Sequence, residues 1–149
     1  MSLVTATPRA IAALAILLLS GCGTMGGGMP QHDAQGGNRL VVQVSDADPG
    51  KWNLALNNAR NVQSDLGRDK VQIEIVAYGP GIGMIKAGSV VAPRIEEAMM
   101  SGMKIVACEN TMTSMKLKKS DMLEGLEYVP AGVVEIMQRQ QQGWAYIRP

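Results

Sequence analysis

The chain has 149 residues, 46% hydrophobic and 18% charged, a balance that suits one globular domain and excludes a disordered or fibrous protein. There is no Phe, and two Trp and three Tyr stand against 11 Met. The core must therefore be aliphatic, and extended aromatic stacking on nucleic-acid bases is excluded as a binding mode. A formal net charge of +1 gives no field that would gather nucleic acid or another polyanion.

The chain opens with one basic residue, Arg9, then an unbroken apolar run at 10–19, then Leu19-Ser20-Gly21-Cys22. Ten helical residues rise only about 15 Å, half the hydrocarbon core, so the run reads as the apolar segment of a signal peptide and not as a spanning helix. Leu-Ser-Gly-Cys resembles a bacterial lipobox. The expectation is a signal peptide over 1–21, lipidation of Cys22, and a protein anchored in the cell envelope and facing the periplasm. Gly23 follows Cys22 where an Asp would signal retention in the inner membrane, which favours the outer membrane. Without Arg9 the bases balance the 13 acids, so lipid rather than a basic patch would hold the protein at the membrane. Residues 22–38 are glycine-rich with little to bury, as in a flexible tether. The single His32 lies within it without a second ligand beside it, and no metal site or cofactor is expected.

Residues 39–149 alternate strand and helix signals. LVVQVS at 40–45 reads as a buried strand. Asp48-Pro49 starts a helix in which Trp52, Ala55, Leu56, Ala59, Val62 and Leu66 form one stripe and Gly67 is the stop. VQIEIVAY at 71–78 is a second strand, whose Gln72 and Glu74 suggest one partly wet face. Gly79-Pro80-Gly81-Ile82-Gly83 follows it. That loop lacks the Gly-Lys-Ser/Thr of a P-loop and the GxGxxG spacing of a dinucleotide site, so a tight turn with close backbone packing is the expected reading.

Val91, Ile95, Ala98 and Met99 mark the next helix, with Pro93 near its start and Gly102 after its end. Residues 104–108 are the third strand, ending on Cys108. Asn110 is placed to cap a short helix carrying Met112 and Met115, with Lys116, Lys118 and Lys119 at its end, where cations suit the helix dipole. A short strand at 126–129, a helix opened by Pro130 with Val133, Ile136 and Met137 inward, a stop at Gly143 and a last strand at 144–147 complete the chain. Strands separated by helices predict an α/β sandwich around a mostly parallel sheet.

Ligands of open α/β sheets bind beyond the carboxyl ends of the strands. Cys108 ends a strand on the same edge as Ser45, Asp46, Tyr78 and the glycine loop. A helix starting near Asn110 would favour its thiolate, and Glu109 would oppose it if the carboxylate faced the sulfur. With Cys22 lipidated, Cys108 has no intramolecular disulfide partner. A lone cysteine ending an apolar strand is nonetheless more often a buried hydrophobe than a reactive group.

VAYGPGIGMI at 76–85, IVACENTM at 105–112, YVPAGVVEIMQRQ at 128–140 and GWAYI at 143–147 occur in the order found in the DsrE/DsrF-like family of sulfur-relay proteins, which residues 40–149 resemble. The resemblance implies a three-layer α/β/α sandwich with a five-stranded sheet, and assembly into homotrimers or homohexamers. It also implies that Cys108 corresponds to the cysteine that carries a persulfide between donor and acceptor proteins, making an active member a sulfurtransferase or sulfur carrier. Asn110 and Thr111 would then hydrogen-bond the sulfur, with Tyr78, Gly79 and Gly81 lining the same pocket. Relatives often have His where this chain has Tyr78, and their relay complexes are cytoplasmic whereas this chain carries an export signal. Two alternatives remain open at this stage: a noncatalytic oligomeric binding or assembly module with an inert, packed Cys108, and a redox sensor that forms intermolecular disulfides.

Overall fold

The structure is a computed structural model that describes residues 37–149. The expected signal peptide, Cys22, His32 and most of the expected tether lie outside the described residues.

The first strand, β1 (Asn38–Val44), leads into α1 (Pro49–Leu66). Its start is fixed by Asp48, whose Oδ1 accepts from the Gly50 N–H at 2.8 Å, and by Pro49 in the first turn. Its end is fixed by Gly67, at φ +95°, whose N–H donates to the Gln63 carbonyl at 3.0 Å. Then come β2 (Val71–Ala77), a 3₁₀ segment (Gly79–Ile85), α2 (Ala92–Met100), β3 (Lys104–Cys108), α3 (Glu109–Ser114), β4 (Glu127–Val129), α4 (Gly132–Gln141) and β5 (Ala145–Ile147).

The five strands are all parallel, in the order β4-β3-β2-β1-β5. Parallel neighbours need crossovers, and these are right-handed almost without exception. The steps β1 to β4 advance one way across the sheet, so α1, α2 and α3 fall on one face. The step from β4 to β5 returns across the whole sheet, so α4 falls on the other. Three layers result.

The two faces differ in thickness. On the first, Leu40, Val42, Val44, Ile73, Ile75, Ala77, Ile105 and Ala107 pack beneath α1, α2 and Met112 of α3. Each large aliphatic side chain enclosed there contributes about 1.5–3 kcal/mol. On the second face only Val41, Val76, Val106, Ile136 and Trp144 form the buried cluster, with Tyr78 and Val129 packed against it.

Several sequence expectations are corrected. Glu74 does not face water: it is 0% exposed, because α4 returns over β2. In α4 the inner line runs through Gly132, Ile136 and Arg139, while Val133 and Met137, expected inward, are 55% and 50% exposed. Leu66, the last residue of α1, and Met115, just beyond the end of α3, are likewise exposed.

Candidate functional site at the end of the third strand

β3 and β4 are neighbours, with Cys108 opposite Val129, but their chains leave in opposite directions, one into α3 on the first face and the other into α4 on the second. Such a parting opens the crevice where α/β sheets bind ligands. Cys108 lies in it.

Cys108 is itself the N-cap residue of α3, so Asn110 stands inside the first turn and not at the cap expected from sequence. The turn aims its amides back at the sulfur. Cys108 Sγ lies 4.0 Å from the Pro130 carbonyl oxygen, which also accepts the Asn110 N–H at 3.0 Å. Gly132 brings the start of α4 to the same place. A Cβ on Gly132 would lie 3.3 Å from the Cys108 Cβ and 3.2 Å from both the Tyr78 Cβ and the Val76 Cγ1.

Burial, the largest single influence, pushes the Cys108 thiol up; the Thr111 hydroxyl and the backbone N–H groups of Gly132, Thr111 and Asn110 together outweigh it. The net result holds the thiol below its ordinary value. Glu109 does not oppose this: its carboxylate faces Lys119 Nζ at 3.6 Å. Asp46, on the same edge, is held by Lys51 at 3.1 Å and Arg148 at 3.3 Å.

The other site candidates divide. Thr111 Oγ1 accepts the Gly79 N–H at 2.9 Å, which leaves the hydroxyl hydrogen free to donate to the sulfur. The glycine-loop amides, expected to face the pocket, are already used: Gly79 on Thr111, and Gly81 on the Tyr78 carbonyl at 3.1 Å. The loop's role is to lie close, since Gly81 is buried against the Val44 carbonyl. Tyr78 packs beside Gly132 and Val76 and is half-buried. Gly132 itself escaped the sequence reading because glycine offers no side-chain chemistry. Its signal was position, three residues after Val129 at the carboxyl edge of the sheet.

The sequence model of the DsrE/DsrF-like family matches residues 39–149. The chain belongs to the DsrE/DsrF-like family. Membership suggests a sulfur-relay type of function. Among solved structures, this DsrE-like chain is similar to the protein MTH1491 of Methanobacterium thermoautotrophicum, itself of unknown function. That match has 36% identity and a TM-score of 0.72, covering 75% of this chain and 99% of the other. BT1422 of Bacteroides thetaiotaomicron, a conserved protein of unknown function, matches at 16% identity and a TM-score of 0.62, over 75% and 95% of the two chains. The ychN protein of E. coli matches at 12% identity and a TM-score of 0.59, over 75% and 99%. The last two show the fold alone. No curated protein matches the sequence.

The lowered thiol of Cys108 makes a measurable prediction for this DsrE-like domain. Its rate of alkylation by iodoacetamide should reach half its plateau at a pH below the ordinary thiol value of about 8.5. Thr111→Ser should keep that midpoint. Thr111→Val, equal in shape but without the hydroxyl, should raise it. The three proteins sharing one midpoint would show that the hydroxyl does not touch the thiolate. Stability follows the same sign: the unfolded chain holds the thiol proton to higher pH, so the fold gains stability as pH rises from the folded toward the ordinary value.

Proposed function

We propose that this chain binds or relays sulfane sulfur as a persulfide on Cys108. The observation that carries the reading is the placement of Cys108, which ends a parallel strand as the N-cap of α3 with Gly132 at the start of α4 packed against its Cβ, and whose thiol is held below its ordinary value despite burial. Family membership agrees with it. In the first step the Cys108 thiolate attacks the outer sulfur of a donor persulfide or polysulfide, a sulfur–sulfur bond forms, and the donor leaves as its thiolate. In the second an acceptor thiolate attacks that outer sulfur and Cys108 leaves as thiolate. No net oxidation occurs, and no cofactor is required. The donors that favour Cys108 as a thiolate favour it as a leaving group for the same reason.

Export and lipid attachment through Cys22, with the domain on the periplasmic side and the outer membrane as its anchor, are part of the proposal and rest on the apolar run and lipobox-like residues. So is self-assembly into a homotrimer or homohexamer. It is supported by Val133 and Met137, exposed on α4 and lining one shallow depression with the exposed Tyr146, and by the exposed Val134.

One observation favours a second reading, a noncatalytic assembly module: Cys108 is only 5% exposed. A single experiment separates the two. Purified protein is treated with polysulfide and weighed; wild type should gain sulfur atoms that reductant removes, and Cys108→Ser should gain none. Equal gain in both, or no gain in wild type, overturns the sulfur reading.

A further inference from the structure

Glu74 is the only buried polar or charged side chain among the described residues, and nothing in the reaction above uses it. It lies on the second face of β2, two residues before the Val76 that touches Gly132. Arg139 of α4 places Nη2 2.8 Å from Glu74 Oε2 and Nε 2.9 Å from Glu135 Oε1, and its guanidinium carbon stands 4.8 Å over the Trp144 ring. Both Glu74 oxygens and Arg139 Nε lie off the hydrogen-bond directions, so charge and enclosure hold the group together. On the neighbouring strands Lys104 of β3 sits opposite Glu74 and pairs with Glu127 of β4 at 3.0 Å, while β1 presents the apolar Val41.

This arrangement matters because, within one copy of the chain, α4 is weakly held elsewhere. Ile136 is the only large apolar side chain it buries, and Val133, Val134 and Met137 point outward. Yet its first turn covers Cys108 and supplies the Gly132 N–H. Arg139 lies seven residues farther along, about 10 Å down the helix axis.

We propose that Glu74 and Arg139 are positioning residues for Cys108: their buried ion pair fastens the far half of α4 to the sheet and thereby holds its first turn over the sulfur. The inference rests on reading Cys108 as a working thiol. A buried ion pair adds little net stability over an apolar pair, but removing the arginine strands the Glu74 charge, and removing Glu74 leaves Arg139 paired only with Glu135 of its own helix and so without its tie to the sheet. The pair is therefore suited to fixing where α4 sits, and its strength sets how often the helix lifts and lets a partner thiol reach Cys108.

The test reads thiol access, not sulfur loading. In the full chain, Glu74→Gln should raise the plateau rate of Cys108 alkylation by about tenfold, the change in open population expected when one charged interaction is lost. It should also shift the alkylation midpoint upward as the Gly132 N–H backs away. Arg139→Lys keeps the charge but has one nitrogen where Arg139 spans Glu74 and Glu135 with two, so it should change both readouts in the same direction by less, and it covers the case in which Glu74→Gln does not fold. Plateau rates equal to wild type in Arg139→Lys and in any folded Glu74→Gln overturn the proposal, whatever happens to the melting temperature. A protein that takes no sulfur on Cys108, but whose alkylation responds to Glu74, overturns the sulfur reading and leaves the positioning role intact.

Discussion

Replacing Gly81 with alanine is expected to cost about 3 kcal/mol or more, a large part of the stability of a domain of this size. The added Cβ would lie 2.3 Å from the Val44 carbonyl oxygen, 2.6 Å from its carbon and 2.8 Å from the Ser45 Cα. All three are backbone atoms, and none can swing aside. The Val44 carbonyl also accepts the Tyr78 N–H at 3.1 Å, so relieving the clash means separating β1 from β2 at the edge where the site is built. Chemical denaturation measures this as a fall in Cm with m unchanged. Gly88→Ala is the control, because nothing lies within 4 Å of the methyl group it would add and the substitution only stiffens the unfolded chain. Equal Cm values for the two variants would show that the loop can move away from β1.

Gly132→Ala should have the second-largest effect, and a different one. Its Cβ would press at 3.2–3.3 Å on the Cβ of Tyr78, the Cγ1 of Val76 and the Cβ of Cys108, contacts that yield only if α4 moves outward by a few tenths of an ångström. Alanine's better helix propensity returns at most about 1 kcal/mol, against an overpacking cost of about 1–3 kcal/mol, so a modest net loss is expected. The decisive readout is chemical. With the Gly132 N–H displaced, the alkylation midpoint of Cys108 should rise toward that of an ordinary thiol. A variant with lower stability and an unmoved midpoint would show that the start of α4 packs against the cysteine without tuning it.

Much of the fold was legible in the sequence because its signals are local. Asp48-Pro49 and Gly67 bracket α1 as the residue types require, and the strand ending on Cys108 needed only a short apolar run after Gly102. What local periodicity could not show was which residues the second face would enclose. Glu74 alternates with Ile73 and Ile75 as a wet residue would, and it is buried by a helix more than fifty residues later in the chain. The same cause inverted α4. Val133 and Met137 are apolar and were expected inward, but the helix turns Arg139 toward the sheet because a buried carboxylate waits there. At the candidate site, the strand-to-helix junction marked Cys108, and the expectation that Thr111 hydrogen-bonds its sulfur came with the family resemblance. The Gly132 N–H was not legible, because its contribution is a backbone group and an absent side chain brought in by the crossover from β4.

The common direction of the strands has one more consequence. Asn38 begins β1 at one end of the sheet and Cys108 ends β3 at the other, about 20 Å away along the strands. Anything the chain carries ahead of Asn38 joins the domain on the side remote from the sulfur. A label fixed at Asn38 would therefore report from the far end of the sheet and leave the edge around Cys108 undisturbed.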